Sequence, residues 1–137
     1  MQRRFFLTVL LLITACSRAK EQSLTKALPV QVERSWVLKE TRNLAPEDAP
    51  PLVRSLGLQR ALTAVYKTNS EIRLKVFEMS GETGAFELIQ KWRQSDGLAI
   101  YKGPYFVVVE KSDADPESLK EFLKALQADL GTNSGIR

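Results

Sequence analysis

Histidine is absent from this 137-residue chain, and cysteine occurs once, at Cys16. Without an imidazole there is no Ser-His or Cys-His nucleophile pair and no His-ligated metal. A lone cysteine has no partner within the chain for a disulfide, so stability must come from core burial. A glycine-rich phosphate loop is also missing: Gly81 and Gly84 lack the following Lys-Ser/Thr and a preceding buried parallel strand. No block of four or more Lys/Arg occurs, and acids are interleaved with bases, so composition supports neither a nucleic-acid stripe nor an anionic-lipid stripe.

What is present begins at the N-terminus. Arg3 and Arg4 precede an apolar run from Phe5 through Ile13, and small residues then lead to Cys16, the pattern of an export signal. Phe5 to Ala15 is 11 residues, whereas a membrane-spanning helix needs ~20. An ordinary secretory signal cut ahead of an unmodified cysteine is the competing reading. The segment Ile13-Thr14-Ala15-Cys16 resembles the lipobox of bacterial lipoproteins. That resemblance implies cleavage between Ala15 and Cys16, diacylglycerol on the thiol, and fatty acyl chains such as palmitate holding the mature chain to a membrane. Two or three acyl chains make release negligible, where one holds only marginally. Ser17 in place of Asp implies, in a bacterium with two membranes, the outer membrane facing the periplasm. Loss of Arg3 and Arg4 with the signal takes the 20 basic residues to 18 against 16 acidic ones, a formal charge of +2.

Residues 1–15 therefore read as a signal peptide, 16–28 as a lipidated cysteine and flexible tether, 29–131 as one folded domain and 132–137 as a disordered tail. About a hundred residues suffice for one core and would starve two. Val30, Val32, Trp36 and Leu38 alternate, with a slip at Arg34-Ser35 that predicts a bulge in a first strand. Asn43 to Pro51 holds three prolines and is no strand, while Pro50-Pro51 followed by Leu52, Val53, Leu56 and Gly57 predicts a short helix. Leu58–Lys67 and Glu71–Met79 alternate as a hairpin around Thr68-Asn69-Ser70, with Arg73 and Lys75 on a wet face. Ala85, Leu88, Ile89 and Trp92 recur at helical spacing after a cap at Ser80 or Thr83, and Ser95-Asp96-Gly97 ends that helix.

Leu98–Tyr101 and Tyr105–Lys111 predict two more strands around Lys102-Gly103-Pro104, and Phe106 to Val109 is apolar enough for a central strand covered on both sides. Asp115-Pro116-Glu117 combines an N-cap, a first-turn proline and an early acid, followed by a stripe of Leu119, Phe122, Leu123, Leu126 and Leu130 closed by Gly131. The expected fold is α+β: a five-stranded antiparallel sheet with two longer helices and one short helix, order β-α-β-β-α-β-β-α, with the helices largely on one face.

Three groups of side chains are candidates for chemistry or binding. Asp113, Asp115 and Glu117 resemble the start of a calcium loop, but neither the glycine nor the late glutamate follows, and a helix cap accounts for Asp115. Glu78, Glu82 and Glu87 would serve a carboxylate-dependent hydrolase of cell-wall or lipid material if a cleft held two of them ~5 to 9 Å apart; solvated turn and helix positions are the plainer reading. Trp36, Tyr66, Trp92, Tyr101 and Tyr105 would line an apolar pocket for a lipid, glycan or peptide, or else belong to core and rim.

Gly57, the strand Ala64-Val65-Tyr66, Val76-Phe77-Glu78-Met79, Ala85-Phe86 and Lys102-Gly103 ahead of Tyr105 together resemble an uncharacterised family of exported bacterial proteins, a domain of unknown function, over Leu44 to Glu110. That resemblance implies a fold and an envelope location, and no activity. The functional expectation is thus a non-enzymatic, membrane-anchored envelope lipoprotein acting as a binding or accessory module. It has no cofactor and no metal; its partners are the membrane through Cys16 and an envelope protein or ligand, without nucleic acid. The alternatives are the hydrolase and a structural subunit of an envelope assembly.

Overall fold

The computed structural model describes residues 24–92 and 98–132. Ala15, Cys16 and the rest of the signal, the helix stop at Ser95-Asp96-Gly97 and the tail beyond Thr132 lie outside the described residues. Within them the chain is α+β, with a curled antiparallel sheet of six strands in the order β1-β2-β3-β4-β6-β5. The strands are β1 (Gln31–Val32), β2 (Trp36–Asn43), β3 (Leu58–Lys67), β4 (Glu71–Met79), β5 (Ala99–Lys102) and β6 (Tyr105–Ser112). The helices are α1 (Pro51–Ser55), α2 (Glu82–Trp92) and α3 (Pro116–Asp129), with a 3-10 turn at Pro46–Asp48 and a helical turn at residues 24–26.

The sixth strand arises where a bulge was expected. At Arg34-Ser35 the chain reverses altogether, so that Val32 pairs with Trp36 and Gln31 with Val37. Glu33 and Arg34 adopt φ of 54° and 64°, a left-handed backbone that tightens three residues into a hairpin loop. A slip in alternation therefore marked a turn.

The helices also divide between the two faces, in place of the one face expected. On the first face α3 lays Leu119, Phe122, Leu123 and Leu126 over Leu62, Ala64 and Tyr66 of β3 and Ile72, Leu74 and Val76 of β4. On the second, Val53 of α1 and Ala85 and Leu88 of α2 cover Ala61, Phe77, Met79, Phe106 and Val108. Alternation along each strand produces this division, because successive side chains point to opposite faces. β6 contributes Val107 to one core and Phe106 and Val108 to the other, as expected for a strand covered on both sides. Each fully buried Leu or Phe contributes about 1.5–3 kcal/mol of transfer free energy, so both layers matter.

Residues 24–28, expected to belong to a free tether, are folded against the domain. Leu24, Ala27 and Leu28 are 2%, 0% and 3% exposed, and Leu24 and Leu28 join the first core beside Val32, Trp36 and Leu130. The Gly131 amide donates to the Ala27 carbonyl at 2.8 Å, which ties this segment to the end of α3. The folded unit thus extends at least five residues ahead of the expected boundary at Pro29. The N-cap of α3 is as expected: the Ser118 amide donates to Asp115 Oδ2 at 3.1 Å, with Pro116 in the first turn.

Candidate functional site

Among the described residues, the second face of the sheet is covered at the end where α1 and α2 lie. Towards the other end two rows of side chains cross it. One runs Glu40, Val65, Arg73 and Lys111, the other Arg42, Thr63, Lys75 and Val108, each following the strand register. Glu40, Arg42, Thr63, Val65, Arg73 and Glu110 line a cavity of about 260 Å³ there.

Two register shifts on the same row bring these residues together. In β2 the ladder slips between Leu38 and Glu40. Trp36 and Leu38 pack in the first core, and without the extra residue Glu40 and Arg42 would follow them into it, because a slip of one residue reverses the face of every side chain. In β4 and β6 the shift lies between Arg73 and Leu74, with Arg73 facing Lys111 and Leu74 facing Val109. Glu110 is the unmatched residue and lands in the groove beside Arg73.

Charge in the groove is of both signs. Arg42 Nη2 lies 3.0 Å from Glu40 Oε1, with side chains 78% and 53% exposed, a setting in which an ion pair is worth only ~0.2–1 kcal/mol. Arg73 Nη2 is 3.8 Å from Glu71 Oε2, and Lys67 Nζ is 3.4 Å from Glu71 Oε1. Glu110 is exposed. Val65 forms a buried apolar floor, and the Thr63 hydroxyl donates a long 3.4 Å bond to the Arg42 carbonyl. Weakly paired charges over an apolar floor can exchange partners with a polar ligand at small cost.

A second polar row crosses the first face at the opposite end of the sheet: Arg60, Glu78, Tyr105 and Lys102 are cross-strand neighbours on β3, β4, β6 and β5. Arg60 Nε donates to Glu78 Oε1 at 2.6 Å, and Lys102 Nζ donates to the Ala128 carbonyl at the end of α3 at 2.6 Å. Burial raises the Tyr105 phenol pKa, the Glu78 charge raises it further, and Arg60 opposes both. This row closes the core beyond α3. Glu82 and Glu87 lie on α2 over the other face, so the structure does not bring the three glutamates to one cleft.

The aromatic residues are likewise separated by the sheet. Trp36 and Tyr66 meet Phe122 edge-on at 5.4 and 5.2 Å in the first core. Trp92 meets Phe106 at 5.4 Å, and Tyr101 meets Phe86 at 5.9 Å, on the second face. Tyr105 is at the rim of the first core, against Gly131. They pack the two layers and do not converge on one pocket. Asp113 and Asp115 serve the backbone: Asp113 Oδ1 accepts from the Glu71 amide at 2.6 Å, and Asp115 caps α3. Among the described residues no group of three or more Asp, Glu, His or Cys is placed to hold a metal ion, and no helix is long and apolar enough to cross a membrane.

The groove residues other than Arg73 were not distinguished in the sequence. The signal for them was the polar run Lys39-Glu40-Thr41-Arg42-Asn43 in the second half of a strand, where neither face is apolar. No family model, curated protein or solved structure matches this chain.

Proposed function

We propose that this protein is a bacterial envelope lipoprotein, held to a membrane by acyl chains on Cys16, whose folded domain is a non-catalytic binding or accessory module. The observation that carries the binding part is the open, polar half of the second sheet face, where two register shifts turn Glu40, Arg42 and Glu110 into a groove. A sheet needs no such groove for its core, since α2 and α3 already cover the apolar residues. The anchor rests on the lipobox-like Ile13-Thr14-Ala15-Cys16. In a source with two membranes Ser17 directs the protein to the outer one, facing the periplasm.

The fold adds a distance to this reading. Seven residues, 17–23, separate Cys16 from buried Leu24, and eight Cα steps extend at most roughly 26–29 Å. A domain on so short a tether works beside the membrane, within about its own diameter of the lipid.

The test is acyl labelling of the full chain with a tagged palmitate, followed by fractionation and photo-crosslinking from Thr63. The expected result is label and membrane recovery lost in Cys16→Ser, together with a crosslinked envelope component. An unlabelled protein released freely from the cell would refute the anchor, and turnover of a cell-wall substrate without any crosslink would refute the non-catalytic module.

A further inference from the structure

The groove narrows the ligand by its charges and its size, an inference that rests on the binding-module reading above. Two guanidinium groups, Arg42 and Arg73, and two carboxylates, Glu40 and Glu110, line it, with Lys75 and Lys111 beside Arg73 on the same rows, so the groove offers partners of both signs. A ligand carrying both signs a few ångströms apart meets a partner at each end. Arg42 is already paired with Glu40 at 3.0 Å, which leaves Arg73 and Glu110 as the accessible couple. Arg73 meets Glu71 at the long distance of 3.8 Å and is 47% exposed, and Glu110 is brought beside it as the unmatched residue of the register shift. The cavity of about 260 Å³ is below the ~300–1,000 Å³ of sites for drug-sized molecules, so the ligand is small.

We infer that the groove binds an α-amino acid or dipeptide with both ends free, its carboxylate on Arg73, its ammonium on Glu110 and its Cα or side chain over Val65. Arg73 offers the planar donor fork that suits a carboxylate, and the ligand ammonium donates one or two of its N–H bonds to Glu110. The Thr63 hydroxyl, bound to the Arg42 carbonyl at 3.4 Å, has lone pairs left to accept from the ligand amide.

The experiment is isothermal titration of the full chain in detergent with L-alanyl-L-alanine, its N-acetyl derivative and its C-terminal amide. The expected result is saturable binding of the free dipeptide, weakened at least tenfold when either end is blocked. Arg73→Gln removes the penalty for amidation, and Glu110→Gln removes the penalty for acetylation. Both side chains are exposed, so neither variant endangers the fold. Equal binding of all three compounds, or no saturation by roughly 10 mM, overturns the inference, as does indifference of the free dipeptide to both substitutions. If Cys16 is acylated and Thr63 crosslinks to an envelope component while all three dipeptides fail, this inference falls and the tethered module stands. If Cys16 is unmodified and the dipeptide binds with the stated pattern, the reverse holds.

Discussion

The Tyr66 hydroxyl donates a 2.6 Å hydrogen bond to the Pro29 carbonyl, 37 positions earlier in the chain. The ring is fully buried, and the bond joins the centre of β3 to the segment that leads into β1. Tyr66→Phe leaves a buried carbonyl without its donor, a loss of about 1–3 kcal/mol. Burial also raises the phenol pKa far above its ordinary value of 10.0. Because the folded pKa is raised, the stabilisation is complete below pH ~10 and is lost as pH climbs towards the folded value, at about 1.4 kcal/mol per unit for one tyrosine. Urea melts at pH 8 and pH 11 should show a steeper alkaline loss in the parent than in Tyr66→Phe.

Leu24 and Leu28 carry the folded domain ahead of Pro29. A chain starting at Pro29 lacks two core leucines and the Ala27 carbonyl that holds Gly131. Leu24→Ala alone should cost about 2–5 kcal/mol, the range for emptying a packed leucine site. Thermal melts of full-length protein and this variant decide the matter. A change within 0.5 kcal/mol would mean that residues 24–28 belong to the tether after all.

Much of this architecture could be read from alternation, and the misreadings share one cause. Ile72, Leu74 and Val76 were legible as one face of β4, and Phe106 to Val109 as a doubly covered strand, because period 2 is a local property. Leu24, Ala27 and Leu28 were not, since Leu130 and the other α3 residues they pack beside lie at the far end of the chain and three apolar residues among polar ones carry no period. Nor does periodicity say on which side of a sheet a helix lands: the stripes of α2 and α3 look alike in sequence yet cover opposite faces. The groove was hidden for a related reason. A register shift changes the face of Glu40 and Arg42, and sequence shows the residues without showing the shift.

Asp115 shows how a cap responds to acid. Its carboxylate accepts from the Ser118 hydroxyl at 2.8 Å and the Ser118 amide at 3.1 Å, and these bonds, the hydroxyl first, hold its pKa below the ordinary 3.8. A depressed pKa stabilises the fold above the unfolded value and ceases to do so as pH falls through the folded one. The contribution of the cap is therefore constant at neutral pH and fades below about pH 4. Asp115→Ala should lower the melting temperature by a few degrees at pH 7, and the difference from the parent should shrink at pH 2–3.

Arg34 is strained where glycine would not be. Its φ of 64° follows Glu33 at 54°, and a left-handed residue with a Cβ costs ~1–2 kcal/mol. Arg34→Gly removes that strain while adding freedom to the unfolded chain, about 0.5–1 kcal/mol in the other direction. The Gln31 side chain donates to the Arg34 carbonyl at 3.3 Å, a contact the substitution leaves in place. A net gain of up to ~1 kcal/mol is expected in denaturant titration; a loss would show that the arginine side chain itself holds the loop.

Gly81 and Gly84 are three residues apart at the start of α2, yet alanine should act oppositely at the two. A Cβ on Gly84 would lie 2.6 Å from the Leu56 carbonyl oxygen, a backbone atom that cannot rotate away. Helix propensity favours alanine over glycine by only ~1 kcal/mol, whereas forcing α2 off the α1 turn carries the ~1–3 kcal/mol typical of overpacking and disturbs Met79, which touches the same site. At Gly81 nothing lies within 4 Å of the added carbon, and the stiffer unfolded chain gives about 0.4–1 kcal/mol of stabilisation. Chemical melts should thus place Gly84→Ala below the parent and Gly81→Ala at or above it. The reverse order would mean that α2 does not seat directly on the Leu56–Gly57 turn, and with it the close packing that leaves the far half of the second face open.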